Sequence, residues 1–394
     1  MILGCQLSGR LTIFGGSEAE DIVTMQTALS ALGCEISATA EKVMITNTKS
    51  GKLARKGLVF IKNSAAGYRM LMALLAAQPE GEYLLAASMQ LQKRPIQPLI
   101  TALQQMGAII KKEGHAYKIQ GSLLSGANAT IDTSLSSQFL SALLLIAPQC
   151  PHGMNIEVTG NRVSWEYVAM TISVLAKMGI EVIERGNMLS VTAGSRLSNP
   201  VELEVEPDYS CACYFWAMAA IYNKPVQIKG NRAISQQPDA GFVELLVKMG
   251  AEVIDNSNFT SVKGSKTAGI KVDMSQMPDQ VPTLAVMGLL ATSKMEIYNI
   301  SHLQYKESNR ISALVQEIKR CGGRADYIDD CLTVYPLPKI TEQVLIDSHG
   351  DHRLAMAFAI LTLKFPDVKI ADQQVVNKSF PGFWQEFKRF RDSE

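Results

Sequence analysis

The chain has 394 residues, of which 47% are hydrophobic and 19% are charged, a composition typical of folded globular proteins and not of disordered ones. Its 38 lysines and arginines nearly balance its 37 aspartates and glutamates, so the formal net charge is +1. This balance argues against binding to nucleic acid or to a membrane surface, because such binding needs a clustered excess of basic residues.

Two further features indicate the compartment. No apolar run approaches the roughly 20 residues needed to span a bilayer, and the start of the chain lacks the pattern of a secretion signal. The seven cysteines form no Cys-x-x-Cys pair and mostly lie in apolar surroundings, which favours buried, reduced thiols. These features predict a cytoplasmic protein.

Along the chain, a helical pattern that ends in a hydrophobic residue and a glycine recurs five times. Glycine is common just past the end of a helix, where the backbone adopts a left-handed conformation. The residues that follow mostly have the pattern of strand starts. The glycines lie 74, 72, 71 and 72 residues apart, at Gly33, Gly107, Gly179, Gly250 and Gly322. This spacing predicts a supersecondary unit repeated about every 72 residues.

A second helix in each repeat is apolar almost all round, which predicts that it is buried on every side. A polar residue precedes each of these central helices, at spacings of 73, 72, 71 and 72 residues. Such residues are good N-caps, because the side chain accepts a hydrogen bond from a free backbone N–H. The predicted caps are Asn63, Ser136, Asp208, Asp279 and Asp351.

The period predicts six repeats, the first of them truncated. A sixth partly exposed helix fits Gly382–Phe390, whereas the first central helix would fall before Met1, with Ile2–Leu7 as its tail. We therefore expect roughly 25–40 residues of the first repeat to be missing. The repeat count predicts an α/β protein of two similar domains, 1–203 and 204–394, each built of three βαβαββ-type repeats. We expect a hinge near residue 203 and the active site in the cleft between the domains.

Parallel central helices would bring their N-termini together, so that unpaired N–H groups and helix dipoles form a positive focus suited to anions. A single arginine or lysine is more often a solvated surface charge, but basic and hydroxyl side chains recur at these helix starts. The pattern predicts a site for two strong anions. The residues at the helix starts are Asn63, Arg69, Arg94, Ser136, Ser137, Gln138, Ser164, Tyr167, Asp279, Lys306 to Arg310, Asp351, His352, Arg353 and Lys378.

Seven segments, in order, resemble those of one known family. Asn63–Arg69 is similar to the motif Asn-x-Gly-Thr-x-x-Arg, and Ser164–Val168 to Ser-x-Pro-Tyr-Ile. The other segments are Lys93–Pro95, Ser136–Leu143, Lys306–Ile311, Asp351–Met356 and Lys378–Pro381. They resemble the 3-phosphoshikimate 1-carboxyvinyltransferases, or EPSP synthases. The resemblance implies the enolpyruvyl transferase fold, an inside-out α/β barrel in each domain.

The resemblance also implies a reaction. A carboxyvinyl group would move from phosphoenolpyruvate to the 5-hydroxyl of shikimate 3-phosphate, by addition and elimination through a tetrahedral intermediate, and phosphate would be released. No metal or organic cofactor is expected. The expected partners are these two small anions, with no nucleic acid and no membrane, and the protein is expected to be a monomer.

Residue roles follow from the same resemblance. Asp279 and Glu307 would be the catalytic carboxylates, because the reaction needs a general acid and a general base, and their division between the two proton transfers is left open. Arginine suits carboxylate and phosphate because it pairs with them through two hydrogen bonds. The expected phosphoenolpyruvate ligands are Arg94, Gln138, Arg310, Arg353 and Lys378. The expected shikimate 3-phosphate ligands are Ser136, Ser137, Gln138, Ser164, Tyr167, Asp279 and Lys306.

The sequence departs from the family pattern at several places. The family's Lys-Ser-x-Ser-x-Arg segment would fall before Met1, which predicts little or no activity for this chain as written. Ala65 stands where the family usually has glycine, and its methyl group predicts weaker binding of glyphosate. Ala66 replaces a threonine, His302 stands where an asparagine often contacts the substrate, and Asn309 replaces an acidic residue.

Three alternatives compete with this interpretation. One is the enolpyruvyl transferase that acts on UDP-N-acetylglucosamine, although no cysteine stands at a plausible catalytic position. Another is a degenerate, non-catalytic paralogue that binds an anion or a partner. A third is a metal site formed by Asp347, His349, Asp351 and His352, but a helix start and a loop explain these residues more simply, so no metal is expected.

Overall fold

The computed structural model describes residues 1–47, 52–125, 128–198, 201–264 and 266–393. The chain forms two compact units, Met1–Val205 and Glu206–Glu394. The division lies close to the domain boundary at residue 203 that the repeat count places there. Each unit has its own hydrophobic core.

The strands of the first unit form three four-stranded sheets within the described residues. They are β1 (Gly9–Phe14), β2 (Glu35–Ala38), β3 (Lys42–Asn47), β4 (Lys56–Ile61), β5 (Glu82–Ala87), β6 (Ile109–Glu113), β7 (Ala116–Gln120), β8 (Asn128–Asp132), β9 (Met154–Thr159), β10 (Ile183–Arg185), β11 (Met188–Val191) and β12 (Val201–Glu204). The strand orders are β12-β1-β3-β2, β4-β5-β7-β6 and β10-β11-β9-β8. In each sheet one parallel pair is extended by an antiparallel hairpin, which confirms the predicted repeat.

Helices of two kinds accompany these sheets. They are α1 (Glu20–Ala31), α2 (Ala65–Ala76), α3 (Met89–Gln92), α4 (Gln97–Gln105), α5 (Gln138–Leu144) and α6 (Trp165–Lys177). The helices α2 and α5 pack against each other and are almost entirely buried, whereas α1, α4 and α6 bury only part of their surface. This confirms the prediction of central and partly exposed helices.

The second unit repeats the scheme. Its strands are β13 (Val226–Lys229), β14 (Glu252–Asp255), β15 (Phe259–Lys263), β16 (Lys271–Asp273), β17 (Met295–Tyr298), β18 (Ala325–Ile328), β19 (Cys331–Val334), β20 (Val344–Ile346) and β21 (Val368–Ile370). They form sheets β13-β15-β14, β16-β17-β19-β18 and β20-β21 within the described residues. The helices are α7 (Tyr209–Tyr222), α8 (Phe242–Lys248), α9 (Val281–Leu290), α10 (Arg310–Arg320), α11 (His352–Thr362) and α12 (Phe383–Asp392).

Helices α7, α9 and α11 pack against one another in the core of the second unit. Their apolar surface on all sides requires this, because any exposed face would place apolar groups in water. Polar residues at their starts therefore lie at the end of a buried bundle. No helix in the described part of the chain is long and apolar enough to cross a membrane.

The predicted ends of the partly exposed helices are confirmed. Helices α1, α4, α6, α8 and α10 each end two residues before a glycine, and all of these glycines have positive φ. At Gly250, for example, φ is +102°, a conformation that strains residues with a β-carbon.

The predicted N-caps are only partly correct. Asp208 and Asp351 do cap α7 and α11, but Ser64 rather than Asn63 caps α2, and the Asn63 side chain accepts a hydrogen bond from Ser88 Oγ. Ser137, not Ser136, occupies the cap position of α5, although Ser136 Oγ accepts the N–H of Gln138. Asp279 lies inside a 3-10 turn, Pro278–Gln280, before α9. Its carboxylate binds cationic side chains instead of backbone N–H groups.

The segment before β1 is buried. Residues Gly4–Gln6 form a short 3-10 turn, and the side chains of Ile2 and Leu3 lie in the core of the first unit. Beside them is an apolar cavity of about 350 Å³, whose lining includes Met25 and Met70. The predicted tail of a central helix thus forms a single helical turn.

Candidate functional site

Basic and acidic side chains meet at the starts of α9, α10 and α11 in the second unit. Asp279 precedes α9, and Lys306 and Glu307 precede α10, which begins at Arg310. Asp351 caps α11, and Arg353 is its second residue. Lys378 ends a 3-10 turn, Gln373–Lys378, that packs against α11. The apolar bundle below these residues fixes the helix starts and hence the side chains.

Arg310 lies at the centre of this cluster and its side chain is fully buried. Its Nη1 donates to Asp279 Oδ1 at 3.1 Å, and its Nη2 donates to Glu307 Oε2 at 2.8 Å. Its Nε donates to Asp351 Oδ2 at 2.9 Å. Burial alone would lower the pKa of the guanidinium, but Asp351, Glu307 and Asp279 raise it above its usual range. Arg310 is therefore a permanent buried cation that holds three carboxylates together.

Asp279 is surrounded by cations. Its Oδ2 lies 2.9 Å from Arg353 Nη2, and its Oδ1 lies 3.7 Å from Lys306 Nζ. Burial would raise the pKa of the Asp279 carboxyl, but Arg353, Lys306 and Arg310 outweigh it and lower the pKa well below its usual range. At neutral pH Asp279 is thus ionised, which suits a proton acceptor and not a proton donor.

Glu307 has a different pair of partners. In addition to Arg310, its Oε1 lies 3.4 Å from Lys378 Nζ, and both side chains are only slightly exposed, at 13% and 11%. Asp279 and Glu307 are therefore bridged by Arg310, while Asp279 also pairs with Arg353 and Lys306 and Glu307 also pairs with Lys378. This arrangement separates two carboxylates that could serve in two proton transfers.

Two buried histidines flank the cluster. The pKa of His302 is lowered to about 4, by burial and then by Lys306, and its Nε2 has no hydrogen-bond partner. The pKa of His352 is also held well below its usual range, by burial and then by Lys378 and Arg353. Both imidazoles are therefore neutral at pH 7.

The other sequence-predicted residues lie in the first unit, where Arg69 contacts two of them, Ser136 and Gln138. Its Nη1 donates to Ser136 Oγ at 3.0 Å and to Gln138 Oε1 at 2.6 Å, and its Nη2 donates to the carbonyl of Pro95 at 2.8 Å. The guanidinium also stacks on the ring of Phe139, 4.6 Å from its centroid. One buried cation thus fixes the segment after Arg94 and the start of α5, where Ser137 is buried as well.

Ser164 has an unusual backbone. It is buried just before α6 and has φ of +54°, a left-handed conformation that is costly for a residue other than glycine. Strain of this kind often accompanies a functional constraint. Tyr167, three residues further on, is half-buried in the first turn of the same helix. Ala65, which stands where the family usually has glycine, is the buried first residue of α2.

The residue-level prediction placed Arg69 and Asp351 at helix starts of the expected anion site, with Asp351 as an N-cap, but assigned neither to a particular substrate or to catalysis. Both stand at helix starts and inside recurring motifs, which was the available signal, but neither was expected to hold other site residues in place. The alternative metal site is explained by other contacts: His349 Nε2 lies 3.0 Å from Glu317 Oε1, and Glu317 also accepts the N–H of Asp347. Among the described residues no group of three or more His, Cys, Asp or Glu side chains could hold a metal ion.

The fold and these clusters define a class: two-unit α/β repeat proteins with an acid–base and cationic cluster at the starts of buried helices. The family model of EPSP synthase (3-phosphoshikimate 1-carboxyvinyltransferase) matches residues 1–387. A 3-phosphoshikimate 1-carboxyvinyltransferase of Methanosphaerula palustris is 36% identical over 391 residues, which cover 98% of this chain and 92% of that protein. The corresponding protein of Haemophilus ducreyi is 34% identical over 401 residues, with 99% and 92% covered.

The chain therefore belongs to the EPSP synthase family. Its fold is similar to that of a solved EPSP synthase structure from Acinetobacter baumannii, with a TM-score of 0.79 at 24% identity, covering 98% of this chain and 91% of that one. The predicted enolpyruvyl transferase fold is confirmed. The alternative of a transferase acting on UDP-N-acetylglucosamine is not favoured.

Proposed function

We propose that the protein transfers the carboxyvinyl group of phosphoenolpyruvate to the 5-hydroxyl of shikimate 3-phosphate and releases phosphate. The observation that carries the proposal is the cluster of the second unit, in a chain whose residues 1–387 match the family model. There two ionisable carboxylates, Asp279 and Glu307, share a buried arginine and are each paired with a further cation.

In this proposal Arg353, Lys378 and Arg310 hold the carboxylate and phosphate of phosphoenolpyruvate, with Arg94 and Gln138 from the first unit. Arg353 and Lys378 keep 14% and 11% of their side chains exposed and so can reach a ligand. Arg310 is fully buried by its three carboxylates, and it would act on the substrate only by exchanging one of them for the anion. Displacing a paired carboxylate is favourable only if the new partner restores the lost charge and hydrogen bonds.

Shikimate 3-phosphate would be bound mainly by the hydroxyl and amide groups of the first unit. The ligands proposed there are Ser136, Ser137, Gln138, Ser164 and Tyr167, and the second unit would add Lys306 and Asp279. Several short hydrogen bonds to a phosphate and a ring triol fix orientation as well as affinity.

We infer that Asp279 accepts the proton of the 5-hydroxyl. Its low pKa makes it a weak base as long as Arg353 and Lys306 remain paired with it. When the anionic substrates take up these cations, the carboxylate loses their stabilisation and its pKa rises, so it becomes a stronger base. Substrate binding would thereby activate the residue that removes the proton.

Glu307 would act in its protonated form and give its proton to the methylene carbon of phosphoenolpyruvate. The adjacent carbon becomes electrophilic, and the hydroxyl oxygen adds to it as Asp279 takes the hydroxyl proton. Glu307 then takes a proton back from the methyl group as phosphate leaves the tetrahedral intermediate, and the proton on Asp279 passes to the departing phosphate. The neighbouring cations would stabilise the phosphate as it leaves. We further infer a cytoplasmic monomer that acts on these small anions without an added cofactor.

The test is phosphate release from phosphoenolpyruvate by the purified protein, measured with and without shikimate 3-phosphate. We expect release that depends on shikimate 3-phosphate. Release that is independent of shikimate 3-phosphate, or no release by the folded protein, would contradict the proposed function.

A further inference from the structure

We propose that Asp351 is a positioning residue for the binding of phosphoenolpyruvate: one buried carboxylate fixes both the guanidinium of Arg310 and the start of the helix that carries Arg353. The inference rests on the proposed function, which assigns both arginines to this anion. Asp351 itself would not touch the substrate.

The contact with Arg310 uses both oxygens of Asp351. Oδ2 accepts from Arg310 Nε at 2.9 Å, and Oδ1 accepts from Nη2 at 3.3 Å. This two-point pairing fixes the plane of the guanidinium as well as its position. Ser308 Oγ donates to Oδ2 at 3.3 Å and holds the carboxylate from the side of the segment before α10.

The same carboxylate also fixes Arg353. Oδ1 accepts the backbone N–H of Arg353 at 2.9 Å and so caps α11. The first turn of a helix frays unless such N–H groups are bonded. Asp351 therefore couples the position of one arginine side chain to the backbone position of the other.

Burial separates Asp351 from the two candidate catalytic carboxylates. The Asp279 and Glu307 side chains are 21% and 13% exposed, whereas that of Asp351 is 0% exposed. A carboxylate enclosed on all sides by Arg310, Ser308 and the first turn of α11 cannot reach a ligand. Asp351 can affect substrate binding only through Arg310 and Arg353, whose positions it fixes.

The test is the substitution Asp351→Asn. Asparagine and aspartate are equally good N-cap residues, so this substitution should preserve the start of α11. It removes the negative charge, and it places an N–H₂ group opposite the N–H donors of Arg310. With a shikimate 3-phosphate analogue present that lacks the 5-hydroxyl and so cannot react, we expect the Kd of phosphoenolpyruvate, measured by calorimetry, to rise about tenfold or more. The Kd of shikimate 3-phosphate alone should change less than threefold.

Asp255→Asn is the matched control. Asp255 pairs with Arg232 and, within the described residues, forms no hydrogen bond or ion pair with Asp351 or with the two arginines that Asp351 holds. This variant therefore also removes one carboxylate from an arginine, and both affinities should stay within twofold of wild type. If Asp351→Asn fails to fold, Ser308→Ala removes only the hydroxyl contact, and a two- to fivefold rise in the Kd of phosphoenolpyruvate is expected. An unchanged Kd for phosphoenolpyruvate in Asp351→Asn, or in Ser308→Ala should that variant be needed, would overturn the proposal.

Two further readouts separate positioning from a general structural role and from failure of the proposed function. The first is a double variant. When the chain already carries Arg310→Lys, the further change Asp351→Asn should raise the Kd of phosphoenolpyruvate less than threefold. If the effects of the two substitutions on this Kd were fully additive, Asp351 would not act through Arg310.

The second readout applies if wild type binds no phosphoenolpyruvate, in which case the proposed function fails. The Nε–H signal of Arg310 in the NMR spectrum then still tests the contact: it should be protected from exchange in wild type and lost in Asp351→Asn, and its survival there would refute the positioning.

Discussion

Asp279 illustrates which properties of a single residue can be predicted from the sequence and which cannot. Its recurrence at the period of the repeat made it a predicted N-cap, and the family resemblance made it a catalytic carboxylate. The structure pairs it with Arg310, Arg353 and Lys306, and these cations bind the carboxylate more strongly than a free N–H would. A motif can supply the residue, but only tertiary packing shows which charges surround it.

Buried neutral histidines make the stability of the second unit depend on pH. Because the pKa of His302 in the folded protein is about 4 and its value in an unfolded chain is about 6.5, the unfolded state binds more protons between these values. Stability therefore falls as pH falls through 6.5, and the effect is complete near pH 4. His352 acts in the same direction.

We predict that His302→Asn removes part of this dependence. Between pH 7.5 and pH 5, the free energy of unfolding should drop by about 2 kcal/mol less in the variant than in wild type, measured by urea denaturation at both pH values. The exposed His152 offers a control, since His152→Asn should leave the drop unchanged. An equal drop in wild type and His302→Asn would show that His302 is not held neutral.

The left-handed backbone of Ser164 allows strain and binding to be measured separately. Ser164→Gly should relieve strain of about 1 kcal/mol, offset in part by the greater entropy of the unfolded chain, so thermal stability should stay level or rise. Ser164→Ala keeps the strain. Both variants lose the hydroxyl and should bind shikimate 3-phosphate about tenfold more weakly, as measured by calorimetry. Wild-type affinity in Ser164→Ala would remove Ser164 from the site.

At the scale of elements, helix ends were predicted more accurately than helix starts. A C-terminal glycine is required by a local backbone conformation, and all five predicted glycines have positive φ. A start can be capped by any of several nearby polar side chains. The cap position of α2 is therefore occupied by Ser64 and not by the predicted Asn63, and that of α5 by Ser137 and not by the predicted Ser136. Periodicity gives the approximate position of such a start, while the choice of cap depends on the local turn.

The glycines on either side of α8 provide a matched test. Gly250 has φ of +102°, so Gly250→Ala should destabilise the protein by about 1–2 kcal/mol. Gly241 lies at the start of the helix with φ of −70°, and a methyl group there would meet only Met277 and Glu244 atoms at 3.6 and 3.8 Å. Gly241→Ala should therefore be neutral or stabilising by up to about 1 kcal/mol. Equal losses in the two variants by thermal denaturation would contradict the left-handed requirement.

At the scale of the whole molecule, the period of about 72 residues predicted three repeats in each unit, and the described residues of each unit form three sheets. One repeated supersecondary pattern can bury its apolar helices only by stacking with its neighbours. The sequence could not predict which carboxylate bridges which arginine. Nor could it predict that Arg69 would join Pro95 to Ser136 and Gln138, since these contacts cross between segments far apart in the chain.

The most direct test of the central claim is phosphate release by Asp279→Asn, assayed beside the wild-type protein. The account predicts that kcat falls about 10²–10⁴-fold, that the variant still unfolds cooperatively, and that Asp255→Asn keeps the wild-type rate. Turnover by Asp279→Asn at the wild-type rate would contradict the account, because the carboxylate that the cationic cluster surrounds would then have no part in the reaction.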